Sequence, residues 1–444
     1  VVFGVSVALV ACVALAGLLL RSARGWLEPR ASVARGLAIV LCALALIGSV
    51  PRGRWTAFLF LTPPLLDNLR ESQRIYFSVQ RRLGRSPYRG YQALALRRKP
   101  DVYLVFVESY GRVIAEHPWL RSGYARRIEE MQRALDAAGW HAASAYTRAP
   151  IMGGRSWLAE GSVLTGMPLA YEAVFRQVIE QIERVPNLVS FLRGQGYATL
   201  LLAPSDRKRT GVENVNYYHY QRCVRFDDLH YRGPHVGWGI VPDQYSLFYT
   251  RENVLRGTPR PMYFEYHMVS SHAPWDELPK LVPDFHALGQ GGEPIDDSGS
   301  LELPRRLRRY VHWDRRFAYL GELYAGMAVS YGQAISYELD VLQRFLLELP
   351  GDALVVVLGD HQPPFLAAET QSFDTPVHVL SRDPALLEEL RDHGFVDGLW
   401  LGDTTATAVR HEGLFSLLVR ALVRCCAQGT PLPPYLVYGA DLGS

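Results

Sequence analysis

Lysine is nearly absent from this chain, occurring only at Lys99, Lys208 and Lys280, so almost all of its 47 basic residues are arginine. Set against 44 acidic residues they leave a net charge of +3 over 444 residues, which argues against the polycationic surface of a nucleic-acid binder. Cysteine is also scarce. Of the five, Cys12 and Cys42 fall in apolar runs, and Cys223, Cys425 and Cys426 form no CxxC or other metal-ligand spacing. A zinc ribbon and a disulfide scaffold are therefore not expected. Buried or free thiols are expected instead, with one bridge from Cys223 to the C-terminal pair as the alternative.

Charge is missing from residues 1–20 (VVFGVSVALVACVALAGLLL), a length that as a helix matches the roughly 30 Å hydrocarbon layer of a bilayer. A second apolar run covers 36–50, so a cleaved secretory signal explains the first run less well than a spanning helix does, and the chain reads as starting partway through a multi-span protein. Between the runs stand Arg21, Arg24, Arg30 and Arg35 against Glu28 alone, which places that loop in the cytoplasm and everything after Val50 outside it. The opposing signal is a basic cluster from Arg70 to Lys99; facing the cytoplasm it would invert the topology. The alternative is contact with anionic headgroups beside an interfacial segment at 55–66.

Beyond Pro100 the pattern changes. Short apolar, β-branched runs at 101–107, 197–203, 263–268 and 353–358 read as buried strands, and helical patterns at 124–138, 187–193, 317–349 and 411–423 alternate with them. That rhythm predicts an α/β domain: a central, mostly parallel sheet covered by helices on both faces, preceded by transmembrane helices. The expected organisation is a membrane region at 1–66, a basic juxtamembrane linker at 67–100, a catalytic domain at 101–430 and a C-terminal tail at 431–444. Residues 288–300, rich in glycine and acid, read as a surface insertion.

Functional groups of such sheets gather beyond the carboxyl ends of the strands. Glu108 follows the first run, a His-containing loop with His272 follows the third, and Asp360 and His361 follow the fourth. Taken singly, such an acid is a cap or a solvated loop residue, and His267, inside the third run, is a satisfied core histidine. Together they bring carboxylates and imidazole to one sheet edge, a donor set suited to a divalent cation. Ser156, behind two glycines and Arg155, stands where a helix begins. It is either an N-cap or a hydroxyl at an anion-attracting helix N-terminus, and the two roles are compatible.

At these residues the chain resembles the lipoteichoic acid synthase and phosphoglycerol transferase branch of the alkaline phosphatase and sulfatase superfamily. The resemblance lies in VFVESYG (105–111), GGRSWLAEGSVLTG (153–166), GWGIVPD (237–243), SSHAPW (270–275) and LGDHQPP (358–364), in family order. It implies Glu108, Asp360 and His361 as ligands of one divalent metal ion, with Mn²⁺ ahead of Mg²⁺, Zn²⁺ or Ca²⁺. Ser156 would be both ligand and nucleophile, and His272 a catalytic and substrate-contacting residue. Trp157 and Arg207 are candidates for the substrate wall, the alternatives being a core-packed Trp157 and a solvated Arg207, and Arg155 would add positive charge for the substrate beside Ser156. Members of the branch commonly carry threonine where Ser156 stands. The sulfatase pattern of Cys or Ser followed by x-Pro-x-Arg is absent around Ser156, which argues against a true sulfatase.

The implied activity is transfer of a phosphoglycerol-like group from a membrane phospholipid donor to an extracytoplasmic glycan or lipid acceptor through a Ser-linked intermediate. The implied location is a bacterial-type cell membrane. The alternatives are a sulfatase-like hydrolase, a phosphodiesterase or a phosphoethanolamine transferase on the same site, or a catalytically silent relative that binds or senses a glycan.

Overall fold

Among the described residues nine strands form one sheet: β1 (Asp101–Val107), β2 (His141–Arg148), β3 (Ala198–Ala203), β4 (Arg222–Arg225), β5 (Met262–Met268), β6 (Ala353–Gly359), β7 (Asp374–Ser381), β8 (Val396–Asp397) and β9 (Val409–Arg410). The computed structural model describes residues 86–207, 215–238, 241–275, 277–291, 317–367, 372–402, 404 and 409–441. The chain divides into two units, Val1–Arg74 and Ile75–Ser444, and all described residues belong to the second. The expected spans at 1–20 and 36–50, the interfacial segment at 55–66, the basic residues up to Arg85 and most of the 288–300 insertion lie outside them. Among the described residues no helix is long and apolar enough to cross a membrane.

The order across the sheet is β4-β3-β5-β1-β6-β7-β2-β8, with β9 also beside β2. From β4 to β6 every pairing is parallel. Strand β7 then runs antiparallel to both β6 and β2, so the sheet is mixed, with a parallel half that carries the expected strands. β1 and β6 are buried along their whole length, as central strands covered on both faces must be. Successive residues alternate between two apolar layers. Tyr103, Val105 and Val107 join one cluster, and Val102, Leu104 and Phe106 join the other.

The longer helices are α1 (Pro118–Ala137), α2 (Ser156–Thr165), α3 (Glu172–Glu180), α4 (Leu188–Gly194), α5 (Asp243–Asn253), α6 (Phe317–Glu348) and α7 (His411–Cys426). Buried residues of α1, α5 and α6 belong to the first layer, and those of α2, α3, α4 and α7 to the second. Four of these helices overlap the sequence-predicted ones. The first predicted helix begins earlier, at Pro118, whose fixed φ and missing N–H suit a first helical turn.

Segments at both ends pack against the sheet domain. The described part of the expected linker packs into the core: Tyr88 is fully buried and donates to the Gly166 carbonyl at 3.0 Å, and the Arg97 amide bonds to the Cys426 carbonyl. The expected tail is also docked, with Ala440 buried and its amide bonded to the Gly166 carbonyl. Cys223, Cys425 and Cys426 are free thiols, so the alternative of a bridge is set aside.

Candidate active site

Strand β1 lies between β5 and β6, all parallel, so the residues just past their carboxyl ends meet at one edge. Glu108, Asp360 and His361 offer ligand atoms that all lie within 4.8 Å of one another. Gly359, the last residue of β6, makes the approach possible. A Cβ there would stand 1.9 Å from the Tyr110 carbonyl oxygen.

Ser156 reaches this group from the other direction, as the first residue of α2. Its Oγ donates to Glu108 Oε2 at 3.1 Å and lies 3.4 Å from His361 Nε2. The turn that aims it is strained. Gly153 and Gly154 have positive φ, and Arg155 is held in the left-handed region at φ 59° and ψ 45°. Gly153 has φ 98°, and a Cβ on it would meet Pro364 at 2.8 Å. The side chain of Ser156 makes a bond to Glu108 where an ordinary cap would turn back to its own helix.

Each donor is oriented from behind. His361 Nδ1 is 3.0 Å from the Gln362 carbonyl, so it carries a proton, and Nε2 is the ring nitrogen that faces the carboxylates. Asp360 Oδ1 accepts the Ser109 and His361 amides at 2.8 and 2.7 Å. Glu108 Oε1 accepts Ser109 Oγ at 2.7 Å.

Burial pushes the Asp360 carboxyl up, with the Glu108 charge adding to it, to about 7. Burial acts on Glu108 in the same sense, but His361, His272 and the Ser109 and Ser156 hydroxyls outweigh it and hold Glu108 below its usual range. Two buried carboxyls this close cannot both ionise cheaply without a cation between them. The donor set of two carboxylates, one free imidazole nitrogen and a hydroxyl fits a divalent ion, with Glu108, Asp360, His361 and Ser156 as its holders.

The remaining expected residues are placed differently. His272 lies flat against Trp238, ring centroids 4.1 Å apart, with Nδ1 2.6 Å from the Ala273 carbonyl, and its charge reaches Glu108. Arg155 is exposed next to Ser156. Trp157 is 43% exposed, so it faces solvent beside Ser156, and its Nε1 donates to Glu172 Oε2 at 2.9 Å. Arg207, past the end of β3, lies over the Phe226 ring at 5.7 Å. Burial and then the Arg207 charge lower the His235 pKa.

His267 is satisfied, as expected of a core histidine. Its Nε2 is 2.9 Å from Glu265 Oε1 and its Nδ1 3.4 Å from Glu160 Oε1. Burial opposes its charge, but the two carboxylates raise its pKa to about 9.

Three contributors lay within legible motifs or helices without being assigned a role. Ser271 Oγ donates to the Glu108 carbonyl at 2.7 Å, Tyr331 OH donates to the Ser109 carbonyl at 2.9 Å, and Trp238 backs His272. Ser271 and Trp238 sit in SSHAPW and GWGIVPD, where a signal existed. Tyr331 is one aromatic of a long helix and carried none.

A mixed α/β sheet with a cation-ready carboxylate and imidazole group and a hydroxyl at a helix start defines a metal-dependent enzyme of ester chemistry. The chain belongs to the sulfatase family, whose model matches residues 100–387. A comparison with curated proteins finds no match.

Among solved structures, the lipoteichoic acid synthase LtaP of Listeria monocytogenes is 13% identical with a TM-score of 0.45, covering 79% of each chain. The Streptococcus pyogenes phosphoglycerol transferase GacH in complex with sn-glycerol-1-phosphate is 12% identical with a TM-score of 0.44, covering 78% of this chain and 80% of its own. The integral membrane lipooligosaccharide phosphoethanolamine transferase EptA of Neisseria meningitidis is 14% identical with a TM-score of 0.45, covering 88% of this chain and 68% of its own. Likenesses this distant transfer no substrate to the present chain.

Proposed function

We propose that this chain is a membrane-anchored, metal-dependent transferase that moves a phosphoglycerol-like group from a phospholipid to an extracytoplasmic glycan or lipid, with Ser156 as nucleophile. The observation that carries the reading is the Ser156 hydroxyl between Glu108 Oε2 and His361 Nε2, at the start of a helix whose free N–H groups favour an incoming phosphate anion. The five motifs and the charge-free run at 1–20 support the choice of branch and the anchor.

Glu108, Asp360, His361 and Ser156 would hold the ion, with Mn²⁺ the first choice. When bound, it supplies positive charge that lowers the pKa of a hydroxyl and offsets charge on phosphoryl oxygens. Ser156 Oγ gives up its proton to solvent and forms the new bond to phosphorus as the bond to the diacylglycerol oxygen breaks, and that oxygen takes up a proton, for which His272 is the candidate donor. In the second half an acceptor hydroxyl attacks the phosphorus of the Ser156 phosphodiester and passes its proton to His272, while the bond from phosphorus to Ser156 Oγ breaks and that oxygen takes up a proton from solvent. Trp238, flat against His272, keeps that imidazole from turning away.

Headgroup analysis tests the reading. With Mn²⁺, the full chain should release diacylglycerol from phosphatidylglycerol, and Ser156→Ala should not. Release from phosphatidylethanolamine alone would move the assignment to a phosphoethanolamine transferase, and turnover unaffected by Ser156→Ala would refute the nucleophile.

A further inference from the structure

We propose that Asp243 and Glu338 are positioning residues that clamp three successive backbone amides of the loop carrying His272, and so fix where that imidazole stands relative to Ser156. The proposal rests on the reading above in giving His272 a part in the reaction. Strand β5 ends at Met268, and the next three N–H groups all point at buried carboxyl oxygens. Val269 N and Ser270 N donate to Asp243 Oδ2 at 2.8 and 2.6 Å, and Ser271 N donates to Glu338 Oε1 at 2.9 Å. The grip on Ser270 is reciprocal, since Asp243 N donates to Ser270 Oγ at 3.0 Å.

Both acids are fully buried, and they arrive from different helices, Asp243 opening α5 and Glu338 in the C-terminal half of α6. Tyr266 on β5 donates to Asp243 Oδ1 and so ties the clamp to the strand. Beyond the three amides the loop closes on itself. His272 N bonds to the Val269 carbonyl at 3.0 Å, and Trp275 Nε1 donates to the Ser271 carbonyl at 2.6 Å. Ser271 Oγ in turn holds the Glu108 carbonyl. The clamp therefore registers the His272 loop against the residue that begins the cation site.

Burying two acids side by side is costly, and a loop that needed only to fold could satisfy three amides with carbonyls or water. What the pair adds is a rigid, directional set of acceptors. The energetic conflict between them is relieved on Glu338. Burial first and the Asp243 charge second push its pKa well above the ordinary range, so it stands as the neutral acid. A glutamine reproduces the neutral acid, with one oxygen to accept the Ser271 amide. An asparagine at 243 does not reproduce the carboxylate, because it offers one acceptor oxygen where the structure uses two.

The test compares the full chain with D243N, E338Q and E338A in detergent with Mn²⁺. It measures kcat and KM on bis(p-nitrophenyl) phosphate, Mn²⁺ affinity, and amide exchange of 269–271. The expected result is a kcat about 100-fold lower for D243N and E338A with KM little changed, the size typical of a displaced catalytic group. E338Q should stay within about threefold of wild type, because its amide preserves the Ser271 bond. Mn²⁺ affinity should hold in all three, while exchange of 269–271 accelerates only in D243N and E338A.

Wild-type kcat and protection in D243N and E338A would overturn the proposal, as would E338Q falling as far as E338A. If D243N fails to fold, the contrast between E338A and E338Q decides. A wild-type chain with no metal-dependent turnover would refute the proposed reaction instead, and the exchange of 269–271 would still decide whether the clamp exists.

Discussion

Replacing Asp360 by asparagine removes one of two adjacent buried carboxyls and keeps an oxygen for the Ser109 and His361 amides, which approach to 2.8 and 2.7 Å. In metal-free protein, burial and then Glu108 raise the Asp360 pKa from 3.8 to about 7. A shift of roughly three units is worth about 4 kcal/mol at 1.36 kcal/mol per unit, an upper bound for a site that water can enter. The folded state keeps the proton to about pH 7, whereas the unfolded chain releases it near 3.8. This contribution to stability is therefore fully present below 3.8 and is lost as pH rises through 7.

With EDTA at pH 8, Asp360→Asn should accordingly be more stable than wild type by up to about 4 kcal/mol, and the gap should close as pH falls toward 4. Excess Mn²⁺ should narrow that gap, by about 2.7 kcal/mol at 100 times the wild-type Kd, and should close it near 1,000 times Kd, where binding adds about 4.1 kcal/mol; the variant, short of one anionic ligand, gains less. Guanidinium denaturation in detergent, followed by tryptophan fluorescence with EDTA or Mn²⁺, reads both effects. A variant less stable than wild type in EDTA at pH 8, or equal gains from Mn²⁺, would refute the electrostatic account of the site.

Three further outcomes follow. His378 and His411 are buried and neutral, with pKa values lowered by burial to about 3 and about 4. Their contribution is intact above the unfolded value of 6.5 and is lost as pH falls toward those values; His378→Gln should flatten the fall in urea midpoint over that range. Gly153→Ala puts a Cβ 2.8 Å from Pro364 at φ 98°, so it should cost about 1–3 kcal/mol and lower kcat through the displaced Ser156; wild-type kcat and melting temperature would contradict this. Trp238→Ala frees one face of His272 and should impair turnover while leaving Mn²⁺ affinity, measured by calorimetry, unchanged.

The strands that build the site were legible because burial on both faces leaves a continuous apolar run, as in DVYLVFV and ALVVVLG. Glu108, Asp360 and His361 followed from being polar immediately after such runs. Strand β2, HAASAYTR, was not legible, because alanine and serine have little intrinsic preference for a strand and its order comes from pairing with β7. Strand β7, DTPVHVLS, hides behind Pro376 and His378. Pro376 is tolerated because its register lies past Leu358↔Val377, the last pair with β6, and His378 is satisfied by Tyr110 and Ser144 at 3.0 and 2.7 Å.

The hydroxyl at 156 could be read as a cap or a nucleophile from sequence; only the turn through Arg155 shows it aimed at Glu108. Asp243 and Glu338 are 95 positions apart in the chain. Nothing local marks them as partners.

The most direct test is intact-mass and peptide mass spectrometry of the full chain after incubation with phosphatidylglycerol and Mn²⁺, beside Ser156→Ala. A phosphoglycerol adduct localised to Ser156, dependent on metal and absent from the variant, is the predicted result. An adduct on another residue, or diacylglycerol release that persists in Ser156→Ala, would contradict the account.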